Sequence, residues 1–489
     1  MSKKIIIIGG GVAGLSAGIY GQKAGFTTEI IEMHTVPGGQ CTAWDRKGYR
    51  FDYCLHWLVG TRTGAFHNIW RDTGVLDETV KIHDHEIHSR IVDENGNDFI
   101  IYSSVDRWEK YLLNLAPEDA KSIRKMCNDM RRFDNFEPFQ DPPELRSMKD
   151  SLKSLGKILP ALPIFAKFGK KTCKEYFDSL HFTNPRLLMF FNSFYADADF
   201  SALAFLLMLT WFNQKNAGYL MGGSLPMAMR MADKYKSLGG KLTLGKKVDK
   251  IIVEDDTAKG VVLTDGTVMR ADYVISAADG HSTLYKMLEG QYITSQIDHA
   301  YNNWPLFTPL VQVSFGIDKE VKTDFPAQVF NVKNIRIGST ELKRGYTLMN
   351  YGFDPSMAPK GKTTIVMRFE SPWDKWENMD EETYRREKRQ IETDAIAILE
   401  KQYPGILREI VVVDVATPRT NVDYTGVWQG AYEGFLPTSK NLLKSIKMTI
   451  PSLDNFYMCG QWLSPGGGLP PSAQSGKWNI DLIRKKEKC

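Results

Sequence analysis

Long apolar runs are missing from this chain of 489 residues. None reaches the ~18 residues of a membrane-spanning helix, and the longest candidate, Ala202–Phe212, falls well short. Cysteine is scarce: Cys41, Cys54, Cys127, Cys173, Cys459 and Cys489 are scattered, with no pair in C-x-x-C spacing. Zinc and dithiol-redox readings are therefore poor, and free scattered thiols fit a reducing cytoplasm. Charge of one sign is missing too. Sixty-two Lys and Arg stand against 58 Asp and Glu, mixed almost throughout, for a net +4. Such a balance argues against a nucleic-acid partner. There is no internal repeat, no low-complexity segment and no signal peptide, since Met1-Ser2-Lys3-Lys4 leads directly into an apolar strand. The chain is 43% apolar and 25% charged, as expected of a globular enzyme, and its length exceeds one ordinary core.

What is present begins at residue 5. Ile5 to Ile8 run into Gly9-Gly10-Gly11-Val12-Ala13-Gly14, a small-residue helix follows, and Thr28-Glu29-Ile30-Ile31-Glu32-Met33 closes the unit. This reads as strand, glycine turn, helix, strand, acid. Gly9 permits the turn, Gly11 lets the backbone approach a pyrophosphate, and Gly14 lets helix pack on strand. The helix N-terminus faces the phosphates with unpaired N–H groups. Glu32, 18 residues past Gly14, suits a ribose 2′-OH and would repel a 2′-phosphate. A Gly38-Gly39 pair followed by Gln40 can wrap the pyrophosphate from its other side.

A second glycine-rich unit lies near the other end. Asn455–Cys459 reads as a strand, followed by Gly460-Gln461, then Gly466-Gly467-Gly468-Leu469-Pro470-Pro471 and a helix. Three glycines let backbone pass close to a flat ring, and proline suits the first helical turn. Between the two units, 240–275 reads as short strands with a turn at Asp265-Gly266, 120–215 as mostly helical, 305–372 as strands, and Asp380–Gln402 as a polar helix ending before Pro404-Gly405.

The order of these elements resembles the phytoene-desaturase-type flavoproteins. These include carotenoid desaturases, carotenoid isomerases and retinol saturase, within the amine-oxidase-like FAD superfamily. Pro37-Gly38-Gly39, Phe51-Asp52, Met221–Pro226, Gly239-Gly240-Lys241, Lys247–Ile251, Ala416–Thr420 and Gly430-Ala431 carry the likeness alongside both glycine units. The resemblance implies an α/β fold: a Rossmann-type (glutathione-reductase-like) FAD domain, a discontinuous α+β substrate domain and a helical, membrane-facing subdomain. The expected boundaries are 1–74, 215–298 and 432–489 for FAD, 75–120 and 299–431 for substrate, and 121–214 for the helices. Val248 is the carry-over for the backbone that holds the adenine. The helix start at Leu469-Pro470 would stabilise negative charge on a reduced flavin.

One departure is that Gln40 stands where the family commonly has an arginine, which removes a phosphate partner. The stretch Phe51–Trp57 is closer to the saturase branch. The implied activity is oxidoreduction, or cis–trans isomerisation, at a C=C bond of a hydrophobic isoprenoid-like or fatty-acyl molecule. A flavoprotein amine oxidase and a non-catalytic flavin or lipid carrier are the rival readings. Saturation needs an acid near the ring. His56 is the candidate, against a packed imidazole beside Trp57. No second nucleotide fingerprint accompanies the first, so the electron partner is undefined.

The apolar stretch 186–212 suits either a lipid tunnel or the core of a helical subdomain. Residues 149–174 mix Lys149, Lys153, Lys157, Lys167, Lys170, Lys171 and Lys174 with Leu152, Ile158, Leu162, Ile164, Phe165 and Phe168. That basic amphipathic pattern suits peripheral docking on the inner face of an anionic membrane, or else a solvated face over an ordinary core. His83, His85 and His88 invite a metal reading, but His88 would point away from the other two, so no metal is expected.

Overall fold

The computed structural model describes residues 2–133, 142–145, 162–194, 199–332 and 334–488. Four consecutive isoleucines leave no polar face, so their strand must be covered on both sides. Lys4–Ile8 accordingly lies in the middle of a parallel sheet, with Ile5 to Ile7 fully buried. The parallel order is Lys241–Thr243, Thr27–Ile31, Lys4–Ile8, Tyr273–Ser276, Leu453–Met458. Three distant stretches of sequence thus build one sheet. Thr257–Leu263 joins its edge beside Asp454 and pairs antiparallel with Val248–Glu254, and Val268–Arg270 follows the Asp265-Gly266 turn.

Helices Val12–Lys23 and Leu469–Glu487 pack against each other on this sheet. Their contact is close because it uses small residues. A methyl group on Gly476 would collide with the Ala13 carbonyl oxygen, and Ser16 Oγ donates to Ala473 O at 2.6 Å. The two glycine units of the sequence therefore sit side by side.

A second sheet of seven strands runs Ile410–Ala416, Leu310–Ile317, Thr363–Glu370, Tyr346–Asn350, Ala327–Asn331, Ile87–Asp93, Asp98–Tyr102. It is antiparallel except where Ala327–Asn331 meets Ile87–Asp93. Val313, Phe315, Ile365 and Met367 point to one side and are covered by Glu381–Gln402. Asp380 caps that helix, its Oδ1 accepting from Thr383 N at 2.9 Å. The opposite side of the sheet carries Gln312, Val366, Arg368 and Tyr351, and faces the nucleotide-binding body.

The third body is helical: Val105–Leu115, Ala120–Arg131, Leu162–Phe168, Cys173–Asp178, Pro185–Phe194 and Ala202–Asn213. Val105, Trp108 and Leu112 belong to its core, so this body takes in residues that the sequence reading grouped with the sheet. Leu187, Phe190, Phe191, Leu203, Phe205, Leu206 and Leu209 are buried in the same cluster, so most of the apolar stretch is core. Among the described residues of the basic segment, Ile164 and Phe168 also point inward, 8% and 1% exposed, and Lys167 Nζ pairs with Asp129 at 2.7 Å. Lys170 and Lys174 are exposed. Residues 149–161 lie outside the described residues. No described helix is long and apolar enough to cross a membrane.

Candidate functional site

Two helix starts without side-chain caps converge on one cleft. Val12–Lys23 begins at Gly11 and Leu469–Glu487 at Gly468, and at neither does a side chain satisfy the first N–H groups. Helix starts left open in this way favour anions and partial negative charge. Beside Gly11 and Gly467 lies an open cleft lined by Gly39, Gln40, Ala278, Asp279, Thr425, Val427, Gln461 and Trp462. The sequence-predicted Gly39, Gln40 and Gln461 are thus brought together from opposite ends of the chain. Gln40 Oε1 accepts from Asn421 Nδ2 at 3.4 Å, and Gln461 Nε2 donates to Ala431 O at 3.3 Å.

The glycines of the first turn are demanded for different reasons. A methyl on Gly14 would strike the Gly9 carbonyl oxygen, so Gly14 is required by the turn itself. A methyl on Gly11 would meet nothing closer than Gly38 O at 3.8 Å. Protein packing therefore leaves room at Gly11, which fits the close passage of a ligand. Gly38 N donates to Gly10 O at 2.9 Å, which seats the second loop against the first. Val12 and Ala13, in the first turn of the helix, are buried.

Glu32 is bound on both oxygens, Oε2 accepting from Gly10 N at 2.6 Å and Oε1 from His34 N at 2.7 Å. Burial pushes its carboxyl upward while these N–H groups hold it down. The carboxylate is fixed across the turn, with further lone pairs left for ribose hydroxyls. Met33 follows it, with its sulfur 3.9 Å from the position of a methyl on Gly426. Glu32 also pairs through its backbone with Thr243 and Lys246, which brings Val248, two residues on, to the same end of the site. Backbone bonding, burial and uncapped helix starts all fit a dinucleotide whose pyrophosphate crosses the cleft.

Beyond the cleft, a buried junction fixes the turn that carries His56. Asp52 is fully buried and accepts from Ser224 N and Oγ, both at 2.6 Å, and from Cys54 N and Leu55 N, both at 3.0 Å. It thereby supplies the cap that Gly223 cannot give to helix Ser224–Ser237. Two family-like elements, Phe51-Asp52 and Met221–Pro226, meet in this one carboxylate. Arg368 braces the same turn from the second sheet: Nη2 donates to Tyr53 O at 2.6 Å and Nε to Gln312 Oε1 at 2.9 Å. No carboxylate among the described residues forms an ion pair with Arg368.

Tyr53, His56, His88, Tyr432 and Glu433 each leave surface uncovered, yet desolvation dominates the shift of every one. The space that these side chains border is the candidate substrate chamber. Aromatic contacts trace part of the wall: Trp57 to Phe212 at 5.2 Å, and Phe212 to His88 at 4.5 Å. Phe212 is therefore where the long apolar helix reaches this chamber. Burial, with Arg368 and His88 adding to it, pushes His56 down to about 3. The imidazole is neutral at physiological pH, so it is a poor acid.

A better acid is Glu433, which sequence reasoning missed. Burial alone pushes its carboxyl up to about 7, and it has no hydrogen-bond partner among the described residues. It stands at the closing glycine loop: a methyl on Gly468 would lie 3.5 Å from Glu433 Oε1, and one on Gly467 2.6 Å from its backbone oxygen. A glutamate two residues past the family-like Gly430-Ala431 was the available signal. For Arg368 the signal was a charge inside the apolar strand Thr363–Glu370. The three histidines do not converge on a metal. His83 and His85 pack on each other and on Phe353, and no metal-ligand cluster exists among the described residues.

The model of flavin containing amine oxidoreductases matches residues 12–477. Among curated proteins, the chain is 23% identical to a phytoene desaturase (neurosporene-forming) of Cereibacter sphaeroides, over 96% of this chain and 92% of that one. It is 24% identical to the chloroplastic prolycopene isomerase 2 of an Oncidium hybrid cultivar, over 96% of this chain and 82% of the relative. Among solved structures it resembles an oxidoreductase from Methanosarcina mazei, with TM-score 0.63, 16% identity and 99% and 100% of the two chains covered. A putrescine oxidase gives TM-score 0.62 at 14% identity, covering 99% of each chain. At such identities the structures speak for the fold.

Proposed function

Since this chain belongs to the flavin containing amine oxidoreductase family, we propose that it is an FAD-dependent oxidoreductase acting on a C=C bond of a hydrophobic, isoprenoid-like substrate. The curated relatives, desaturases and isomerases of carotenoids by name, support that chemistry. The observation that carries the proposal is the closeness of Glu433 to the closing glycine loop, where a methyl on Gly468 would lie 3.5 Å from its Oε1. Glu32 takes the ribose end, Gly11, Gly38 and Gly39 the pyrophosphate, and the helix start at Leu469-Pro470 the ring. Bound FAD supplies hydride exchange.

The chain supplies the rest. The Phe212, Trp57 and His88 wall excludes water and accepts an apolar chain. Glu433 holds a proton near neutral pH and exchanges it with the carbon next to the one that exchanges hydride. An amine substrate is disfavoured, because Arg368 would repel an ammonium group brought into the chamber. Electrons arrive through a transient partner, and the basic composition of 149–174, with Lys170 and Lys174 exposed, favours an anionic membrane surface as the source of the lipid.

The test is anaerobic reduction of the purified holoprotein, followed by incubation with a polyene isoprenoid and mass analysis of the lipid. A gain of two mass units identifies saturation, and an unchanged mass with altered retention identifies isomerisation. A lipid unchanged by both reduced and oxidised enzyme would refute the proposal.

A further inference from the structure

Cys41 and Cys54 are separated in sequence but opposed in the fold. The hairpin pairs Ala43 with Asp52, and Tyr53 N donates to Thr42 O at 3.1 Å. That bond holds Tyr53 beside Thr42, one step beyond the paired strands, while Thr42 N turns to Gln40 O. Cys41 and Cys54 are the next residues outward on the two arms, and both are held at the Asp52–Ser224 junction: Cys54 N donates to Asp52 Oδ1 at 3.0 Å. A continued antiparallel register would bring their Cα atoms to about 4.5 Å. A disulfide spans Cα separations of about 4.4–6.8 Å. Both cysteines are free, Cys41 buried and Cys54 half-buried. The neighbouring Cys54 thiol is the largest influence on the Cys41 thiol, pushing it up, with burial adding to it. Cys41 Sγ also donates to Ser224 O at 3.5 Å. In contrast, Cys127, Cys173 and Cys459 are each buried elsewhere in the molecule.

We infer that Cys41 and Cys54 form a reversible disulfide, tying the Gly38–Gln40 loop of the cofactor cleft to the turn that carries His56. The more accessible Cys54 reacts first. Its thiolate attacks one oxygen of hydrogen peroxide, the O–O bond breaks, and hydroxide leaves to become water, giving a sulfenic acid. The Cys41 sulfur then attacks the Cys54 sulfur. The S–O bond breaks, and a second water leaves carrying the Cys41 proton. Two thiols lose two electrons and one peroxide becomes two waters, so the step balances. The long spacing hides this pair from any C-x-x-C search, because the hairpin, not the local sequence, brings the sulfurs together.

The test treats the full chain with a small excess of hydrogen peroxide, alkylates the remaining thiols under denaturing conditions and maps unreduced peptides by mass. The Cys41 and Cys54 peptides should appear joined, two mass units lighter than their sum, and separate on adding dithiothreitol. Free thiols should fall from six to four. In Cys54→Ser, Cys41 should remain alkylatable after the same treatment. The wild-type map decides the question even if that variant folds poorly. Alkylation of both cysteines after oxidation, or their joining only to other cysteines, would overturn the inference.

Discussion

The cleft and the chamber are built on different principles. The cleft is a backbone site: N–H groups at Gly11 and Gly468, the seating of Gly38 on Gly10, and a carboxylate bound by two further N–H groups. The chamber is a side-chain site, assembled from Tyr53, His56, His88, Phe212, Arg368 and Glu433. A backbone site leaves glycines at fixed spacing. A side-chain site drawn from five parts of the chain leaves no local pattern.

The sharpest way to separate the two is to damage one and watch the other. Gly11→Val should empty the cleft, with flavin content falling below a tenth of wild type in the purified protein. Gly11→Ala should fold normally, because its methyl meets only ordinary contacts. It should weaken FAD by roughly 1–3 kcal/mol, the usual cost of overpacking a close contact. Unchanged flavin absorbance in both variants would mean that the helix start does not hold the pyrophosphate.

Asp52→Asn attacks the junction between the two sites. An amide cannot accept all four bonds that the carboxylate takes, so stability should fall by roughly 1.5–3 kcal/mol, read as a lowered denaturation midpoint. His56→Gln should touch neither site strongly. An imidazole pushed to about 3 donates no proton at neutral pH, so turnover should change only a few-fold and keep its pH profile. A large loss confined to kcat would restore His56 as the acid. Smallest of all, Lys153, Lys157 and Lys170 changed together to Glu should weaken sedimentation with anionic vesicles several-fold while leaving flavin content alone.

The same contrast explains what the sequence could and could not tell. Ile5–Ile8, Gly9 to Gly14 and Glu32 announce their strand, turn and acid because period and glycine spacing are local consequences of backbone geometry. Glu381–Gln402 was legible for the same reason, through Asp380 and Pro404. In the basic segment, Ile164 and Phe168 have the periodicity of an apolar stripe, and the helical body buries them, as the alternative of an ordinary core beneath a solvated face allows. Periodicity reports that a face is apolar without saying what covers it. His56 drew attention through its ordinary pKa near neutrality, whereas desolvation, with Arg368 and His88 nearby, pushes it down although part of the residue stays exposed. Glu433 gained the property by the same burial. Such reversals depend on neighbours distant in the chain, Arg368 for His56 and the Gly467-Gly468 loop for Glu433, so no reading of local sequence reaches them.

Turnover of Glu433→Gln, measured as flavin reoxidation by a polyene lipid between pH 5 and 9, tests the central claim most directly. The wild-type carboxyl is protonated below about 7 and ionised above it. If it donates the proton, the rate should be level on the acid side and fall about tenfold per pH unit on the alkaline side. The glutamine variant should retain its flavin, lose roughly 10²–10⁴ in rate and show no such limb. A variant that turns over at the wild-type rate, with the same alkaline fall, would contradict the account.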